Sequence, residues 1–350
     1  MGFSNKLISW YEQNGRDLPW RKTNDPYVIW LSEIILQQTR VEQGTPYFYR
    51  FLEAFPTLHD FANADEGEIL RLWQGLGYYS RARNMHRASK QILNNHKGIF
   101  PTEYGQLINL AGIGEYTASA IASFSTNARH AVLDGNVFRV LSRYFGVHTP
   151  INSSQGKKEF AMLANEIIDL SYPGRYNQAI MDFGALQCKP KNPDCGQCIF
   201  SVSCWAYQHQ QVGALPIKIK KKQSRDRYFH YFILKHEDQV LMSQRSENDI
   251  WANLYEFPLI ETPADIAVPE LLEDPQFIEY FAGSSIIQVG NVVKQVLSHQ
   301  NIYAKFYEVL EPEKLVNKKA NWNYFNSEKI DRLAKHKLIV SFLRLYKNTL

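Results

Sequence analysis

Several things are scarce in this chain of 350 residues, and each scarcity excludes something. No apolar run is long enough for a membrane span or a signal peptide, and between Met1 and Arg21 Lys6 stands where an acylation signal would need Ser or Thr. The expectation is a cytoplasmic protein, nucleoid-associated if bacterial, that does not engage membranes. There is no internal repeat and no low-complexity tract. Neither sign of charge dominates: 39 Lys and Arg against 35 Asp and Glu leave a net charge of +4, which permits nucleic-acid binding without demanding it. Cysteine is rare, and its four copies all fall between Cys188 and Cys204. In a reducing compartment that clustering favours a metal or iron–sulfur site over disulfides.

Apolar residues are abundant, at 45% hydrophobic and 13% aromatic, enough for two compact domains with a core each. From about Val28 to Leu186 they recur at three- and four-residue spacing, a helical pattern punctuated by Gly, Pro, Asn and Asp. After the cysteines the texture changes. Lys218, Lys220, Lys221, Lys222, Arg225 and Arg227 form a basic stretch that reads as an interdomain linker over 213–227. Tyr228 to Lys235 with Gln239 to Ser243, and Val289 to Leu297 with Ile302 to Leu310, read as strand pairs joined by polar turns. A closing helix is expected from Ser327 to Tyr346.

Cys188, Cys195, Cys198 and Cys204 follow a C-x6-C-x2-C-x5-C spacing. Four thiolates so close in sequence can converge on an iron–sulfur cluster or a structural zinc, though zinc sites more usually show two close pairs. Unrelated buried thiols are the bland alternative. Upstream, the Gly112-Ile113-Gly114 turn between two helical stretches lets backbone amides and a helix N-terminus approach a phosphate; an ordinary interhelical turn would look the same. Glu33 sits on a helix otherwise apolar around it, where desolvation would raise its pKa and suit it to general acid work, unless it is merely paired or solvent-facing. Asp134 precedes a helix, and helix capping is its simplest role.

Taken together, the cysteine spacing and the Leu107-to-Ala118 string resemble the [4Fe–4S] loop and helix-hairpin-helix of the endonuclease III family of DNA glycosylases, with Ala111 where proline is commoner. The Ser32-Glu33-Ile34-Ile35-Leu36-Gln37-Gln38-Thr39 string is similar to the adenine-specific, MutY-type branch, and Leu133-Asp134-Gly135-Asn136-Val137 resembles the segment carrying the catalytic aspartate. The resemblance implies a fold of two parts: an all-α helix-hairpin-helix glycosylase domain over 1–212, its hairpin at about 105–125 and its cluster loop at 188–204, then an α+β Nudix-like domain over 228–350. It implies Glu33 as general acid, Asp134 facing the sugar cation, Asn136 supporting the site and Tyr116 stabilising the transition state. Strand-cutting relatives carry a Schiff-base lysine at the position of Tyr116, so a monofunctional glycosylase is expected.

The resemblance also places Arg21, Gln38, Thr39, Tyr78, Ser80, Gly112 and Gly114 against DNA. Trp251 to Pro258 resembles the Trp-x-Phe-Pro region of Nudix-like domains, but the Arg-Glu-x-x-Glu-Glu helix that would hold magnesium is missing there. Leu297-Ser298-His299 matches a Phe-Ser-His loop that senses oxidised guanine, with leucine replacing phenylalanine. The implied partner is double-stranded DNA containing adenine opposite 8-oxoguanine or guanine, bound by a monomer. Against this stand a bifunctional glycosylase/lyase, disfavoured by Tyr116; a non-catalytic mismatch-binding protein, disfavoured by intact Glu33 and Asp134; and a nucleotide-pool hydrolase, disfavoured by the missing helix.

Overall fold

The computed structural model describes residues 2–219, 224–247, 249–310 and 319–346. It divides into two compact units, Met1–Asn63 with Asn84–Lys221, and Ala64–Arg83 with Lys222–Leu350. The helices in chain order are α1 (Phe3–Asn14), α2 (Pro26–Leu36), α3 (Val41–Ala54), α4 (Leu58–Asn63), α5 (Glu66–Leu72), α6 (Ser80–Asn95), α7 (Tyr104–Leu107), α8 (Glu115–Thr126), α9 (Gly135–Phe145), α10 (Ser154–Ile167), α11 (Pro173–Leu186) and α12 (Trp205–Gln208).

The first unit is helical among its described residues, and its helices start and stop where local chemistry dictates. Asp25 caps α2 by accepting from the Tyr27 amide at 2.8 Å, with Pro26 pre-set for the first turn. Asp134 caps α9, which ends at Gly146 in the left-handed region at φ 70°. The core is shared by α1, α9, α10 and α11 through Leu7, Val137, Val140, Leu141, Phe160, Tyr176, Ile180 and Phe183, all nearly inaccessible to solvent. Phe200 of the cysteine loop joins that core, so the loop is anchored by apolar packing as well as by whatever its sulfurs hold.

In the second unit, β1 (Arg225–Ile233), β2 (Lys235–His236), β3 (Gln239–Gln244), β4 (Tyr255–Glu256) and β5 (Leu259–Thr262) lead to α13 (Val268–Leu272) and α14 (Pro275–Phe281). Then come β6 (Ser285–Gln288), β7 (Val293–Val296), β8 (Gln300–Leu310), β9 (Trp322–Asn326), α15 (Ser327–Arg332) and α16 (Lys337–Tyr346). One sheet runs β5-β1-β8, with β6 and β7 both paired to the far edge of β8; β1 and β8 are parallel, from Arg225 opposite Gln300 to Ile233 opposite Glu308. The other sheet is β2-β3-β4 with β9 on β3. Phe232, Leu241, Ile260, Phe277, Phe281, Tyr307 and Trp322 form a core between strands and helices. The α+β reading holds, and the second expected strand pair is present as β7–β8, but the first is not as expected: Tyr228 to Ile233 lie in β1, which pairs with β5 and β8, and only Lys235 and His236, as β2, pair with β3.

Two further expectations change. The closing helix is broken into α15 and α16, because the intervening Leu333–His336 stretch is needed as extended backbone: Ala334 accepts from the Tyr255 amide, and His336, fully buried, stacks on Trp251 and bonds Glu256. The expected linker is also shorter at its end. Lys220, Lys221 and Lys222 lie outside the described residues, but Arg225 and Arg227 open β1, and Arg227 is buried in ion pairs with Asp249 and Glu261. A basic side chain looks like linker in sequence until its carboxylate partners, tens of positions away, are known.

Candidate active site

A cavity of about 830 Å³ opens in the first unit, and four segments meet at its wall. Glu33 comes from α2, Tyr116 from the first turn of α8, Asp134 and Asn136 from the start of α9, and Arg21 from the short turn Pro19–Arg21. Gln38, Thr39 and Gly114 line the same cavity.

Glu33 is buried, and the half-buried Tyr116 donates its hydroxyl to Glu33 Oε2 at 2.7 Å. Burial pushes the Glu33 carboxyl up to about 7, against the Tyr116 hydrogen bond and the Arg21 charge, which pull it down. Asp134 is also raised by burial, but its charged form is better supported: Asp134 Oδ1 accepts from the amides of Asn136 (2.8 Å) and Val137 (2.7 Å), and Oδ2 from Asn136 Nδ2 (2.8 Å). One carboxyl is thus poised to carry a proton near neutrality while the other has three N–H donors that favour its charged form against burial, the division of labour that bond cleavage with acid assistance requires. Capping and chemistry are compatible at Asp134, since the hydrogen bonds that start α9 also fix the carboxylate.

The strand of loop before Asp134 is fixed by Asn177 on α11, which is wholly buried and bonds the Val132 amide, the His130 carbonyl and Ser123 Oγ. Sequence reasoning missed Arg139. Its guanidinium donates to Asn136 Oδ1 (2.9 Å), the Gly184 carbonyl (2.6 Å) and the Cys188 carbonyl (2.8 Å), bracing the amide that braces Asp134. Gly184 lies so close to this point that a Cβ there would sit 2.7 Å from Asn136 Cβ. Arg16 and Asp182 were missed as well; Asp182, with no exposed side-chain surface, accepts from both Arg16 and Arg21. Only the fold reveals a pairing across more than 160 positions.

The hairpin forms as expected between α7 and α8. Gly112 has φ 74°, and any Cβ would meet Asn84 at 2.6 Å, so glycine is required twice over. Gly112 does not line the cavity among its described walls; Gly114, the residue before α8, does.

Tyr78, Ser80, Ser298 and His299 are placed elsewhere. They line a cavity of about 710 Å³ within the second unit, with Trp251, Gln300 and Lys337. There Tyr78 Oη and Ser298 Oγ share a 2.5 Å hydrogen bond, and Tyr79 donates to the Lys335 carbonyl. Gln38 and Tyr78 both take positive φ, 57° and 50°, a conformation that non-glycine residues hold only when surroundings enforce it and that clusters at functional loops.

The four cysteines are unpaired and surround one cavity with Val140, Tyr144, Phe183 and Phe200. Among the described residues no three His, Cys, Asp or Glu side chains are drawn tightly enough together to hold a metal ion. The donor set nevertheless suits an iron–sulfur cluster: the Phe200 amide points at Cys198 Sγ, Arg143 Nη1 approaches Cys188 Sγ at 3.5 Å, and the walls are otherwise apolar. Burial and mutual repulsion disfavour the thiolates of Cys195, Cys198 and Cys204, and iron would supply the opposing charge.

Residues 31–166 match the family described as HhH-GPD superfamily base excision DNA repair protein, and residues 230–345 match the NUDIX domain. The adenine DNA glycosylase of Buchnera aphidicola (subsp. Schizaphis graminum) is 39% identical over 74% of this chain and 75% of its own length. That of Rattus norvegicus is 40% identical over 60% of this chain and 42% of its own length. Among solved structures, a thermostable thymine-DNA glycosylase is 28% identical at a TM-score of 0.56, covering 59% of this chain and 95% of that one. A non-covalent endonuclease III–DNA complex shares the fold at 19% identity and a TM-score of 0.51, covering 60% of this chain and 99% of that one. The buried acid, the capped aspartate and these matches converge: the chain belongs to the adenine DNA glycosylases, enzymes of base excision repair that hydrolyse N-glycosyl bonds.

Proposed function

We propose that this protein excises adenine mispaired with 8-oxoguanine or guanine and leaves an abasic site without cutting the strand. Glu33 gives its proton to the adenine as the C1′–N9 bond breaks, and Asp134 faces the positive charge that develops on the sugar. The Glu33 carboxylate then takes a proton from the water that attacks C1′, which restores the acid and completes the hydrolysis. Tyr116 orients Glu33, and Asn136 with Arg139 holds Asp134. The observation that carries this reading is the pair of carboxyls on one cavity wall, one raised to about 7 and bonded by a tyrosine hydroxyl where a Schiff-base lysine would otherwise stand.

Arg21, Gln38, Thr39, Gly112 and Gly114 grip the DNA around the extruded adenine, while Tyr78, Ser80, Ser298 and His299 examine the base left opposite. Cys188, Cys195, Cys198 and Cys204 hold a [4Fe–4S] cluster, which when bound ties the loop after α11 to the core. The protein acts as a monomer in the cytoplasm on double-stranded DNA.

Single-turnover cleavage of a labelled duplex with adenine opposite 8-oxoguanine, with and without hot alkali, tests this directly. Breaks appearing only after alkali are expected. Breaks without alkali would make the enzyme a lyase, and no product from DNA-bound, cluster-loaded protein would make it a binding protein.

A further inference from the structure

Asp182 is the most heavily engaged carboxylate near the cavity, yet it does not line it. It lies on α11 with no exposed side-chain surface and accepts from the Arg16 amide (2.9 Å), Arg16 Nε (2.9 Å) and Nη2 (2.5 Å), and Arg21 Nη1 (2.7 Å) and Nη2 (2.8 Å). Both arginines do line the cavity, Arg16 partly exposed and Arg21 almost buried. Two guanidiniums meet this one carboxylate. The second leaves the wall one positive charge in excess, facing the site proposed to hold a proton.

We propose, on the functional reading above, that Asp182 is a positioning residue of the excision reaction: it seats both guanidiniums and cancels one of their charges, so that Glu33 keeps its proton until adenine takes it. The groups that face Glu33 from each side make the sign clear. Tyr116 on α8 donates to it, Asp134 before α9 favours its protonated form, and Arg21 favours its ionised form. With Asp182 ionised, the three charges of Arg16, Arg21 and Asp182 sum to +1. Without it they sum to +2, and the added positive charge draws the proton off Glu33.

The same arithmetic runs in reverse at Arg16, whose removal lowers the sum to zero. The two changes therefore move the acid in opposite directions, which damage to packing alone would not do.

The test is the pH dependence of single-turnover excision by the full, cluster-loaded chain, for the unaltered protein and for Asp182→Asn, Arg16→Gln and Asp182→Glu. The alkaline limb is expected to move down by about half to one pH unit in D182N, less than a charge in direct contact would give, and up in R16Q. D182E is expected to restore it. Limbs that stay in place whatever the rate, or that move the same way in both, overturn the inference. If D182N does not fold, the upward shift in R16Q decides alone. Should the unaltered protein excise no adenine, the functional reading falls by itself, and the carboxyl stretch of Glu33 in the infrared, assigned against E33Q, reads the same two shifts without catalysis.

Discussion

Both units bury carboxylates against arginine, Asp182 in the first and Glu256 in the second, and they differ at Glu33 of the first. In the second unit Glu256 accepts from Tyr231, Arg245 and His336, and Asp249, despite burial, is held at about 2 by Arg227, the Ile250 amide and Arg245. Arg227 and Arg245 lie beside them, so each of these carboxylates meets a guanidinium. In the first unit Glu33 is buried with a tyrosine hydroxyl as its bonded partner and rises to about 7. Full compensation makes a carboxylate part of the scaffold. Partial compensation leaves it with a proton to give.

Removing the proton donor should have the largest consequence: Glu33→Gln is expected to slow single-turnover excision about a thousandfold or more while DNA binding measured by gel shift persists. Residual excision near the normal rate would return Glu33 to the ranks of ordinary buried acids. Asp134→Asn follows, with a loss of about 10²–10³ in the same assay, since an amide cannot face a cation as a carboxylate does. A near-normal rate would leave Asp134 only as a cap.

The opposite pole of the comparison is tested by Arg245→Met, which strands Glu256 and should cost about 3–5 kcal/mol in denaturant unfolding. A loss below about 1 kcal/mol would mean that the network is not compensated as its geometry suggests.

Smaller effects come from pH. The excision rate should fall roughly tenfold per unit above about 7, as Glu33 loses its proton, and fall again on the acid side as Asp134 gains one. The folded-state pKa of Glu33 lies above its unfolded value, so its contribution to stability is complete below the unfolded pKa and is lost as pH rises through 7. Glu33→Gln should therefore be more stabilising at about pH 9 than at about pH 5, by about 1–3 kcal/mol. An equal effect at both pH values would contradict a raised pKa. The least effect is expected at the second cavity, where His299→Ala should reduce the preference for 8-oxoguanine over guanine by up to about tenfold, the worth of one hydrogen bond. An equal loss on both mispairs would remove His299 as a reader.

What was legible in the sequence was local. The cysteine spacing, the Gly112 turn and the acid-bearing strings around Glu33 and Asp134 are each contained within a few turns of chain, and the structure gathers Glu33, Tyr116, Asp134 and Asn136 on one wall. Pairings over long separations were not legible. Asp182 meets Arg16 and Arg21 only because α11 packs on α1 and the turn after it, and Arg227 meets Asp249 and Glu261 only within the folded second unit. The break between α15 and α16 was hidden for a related reason: Leu333 to His336 carry no glycine or proline, and partners in the sheet, not propensity, hold them extended.

Gly184 shows how narrow a margin this gathering leaves. Here the limit is set by volume: a single methyl group would press on Asn136, which orients Asp134 and is itself oriented by Arg139. The smallest possible enlargement of a side chain, on the buried face of a helix, thus forces a shift at the residue that supports the catalytic carboxylate. Inactivating changes in this protein need not be sought at the cavity mouth; some will be found in the interior, disguised as conservative ones.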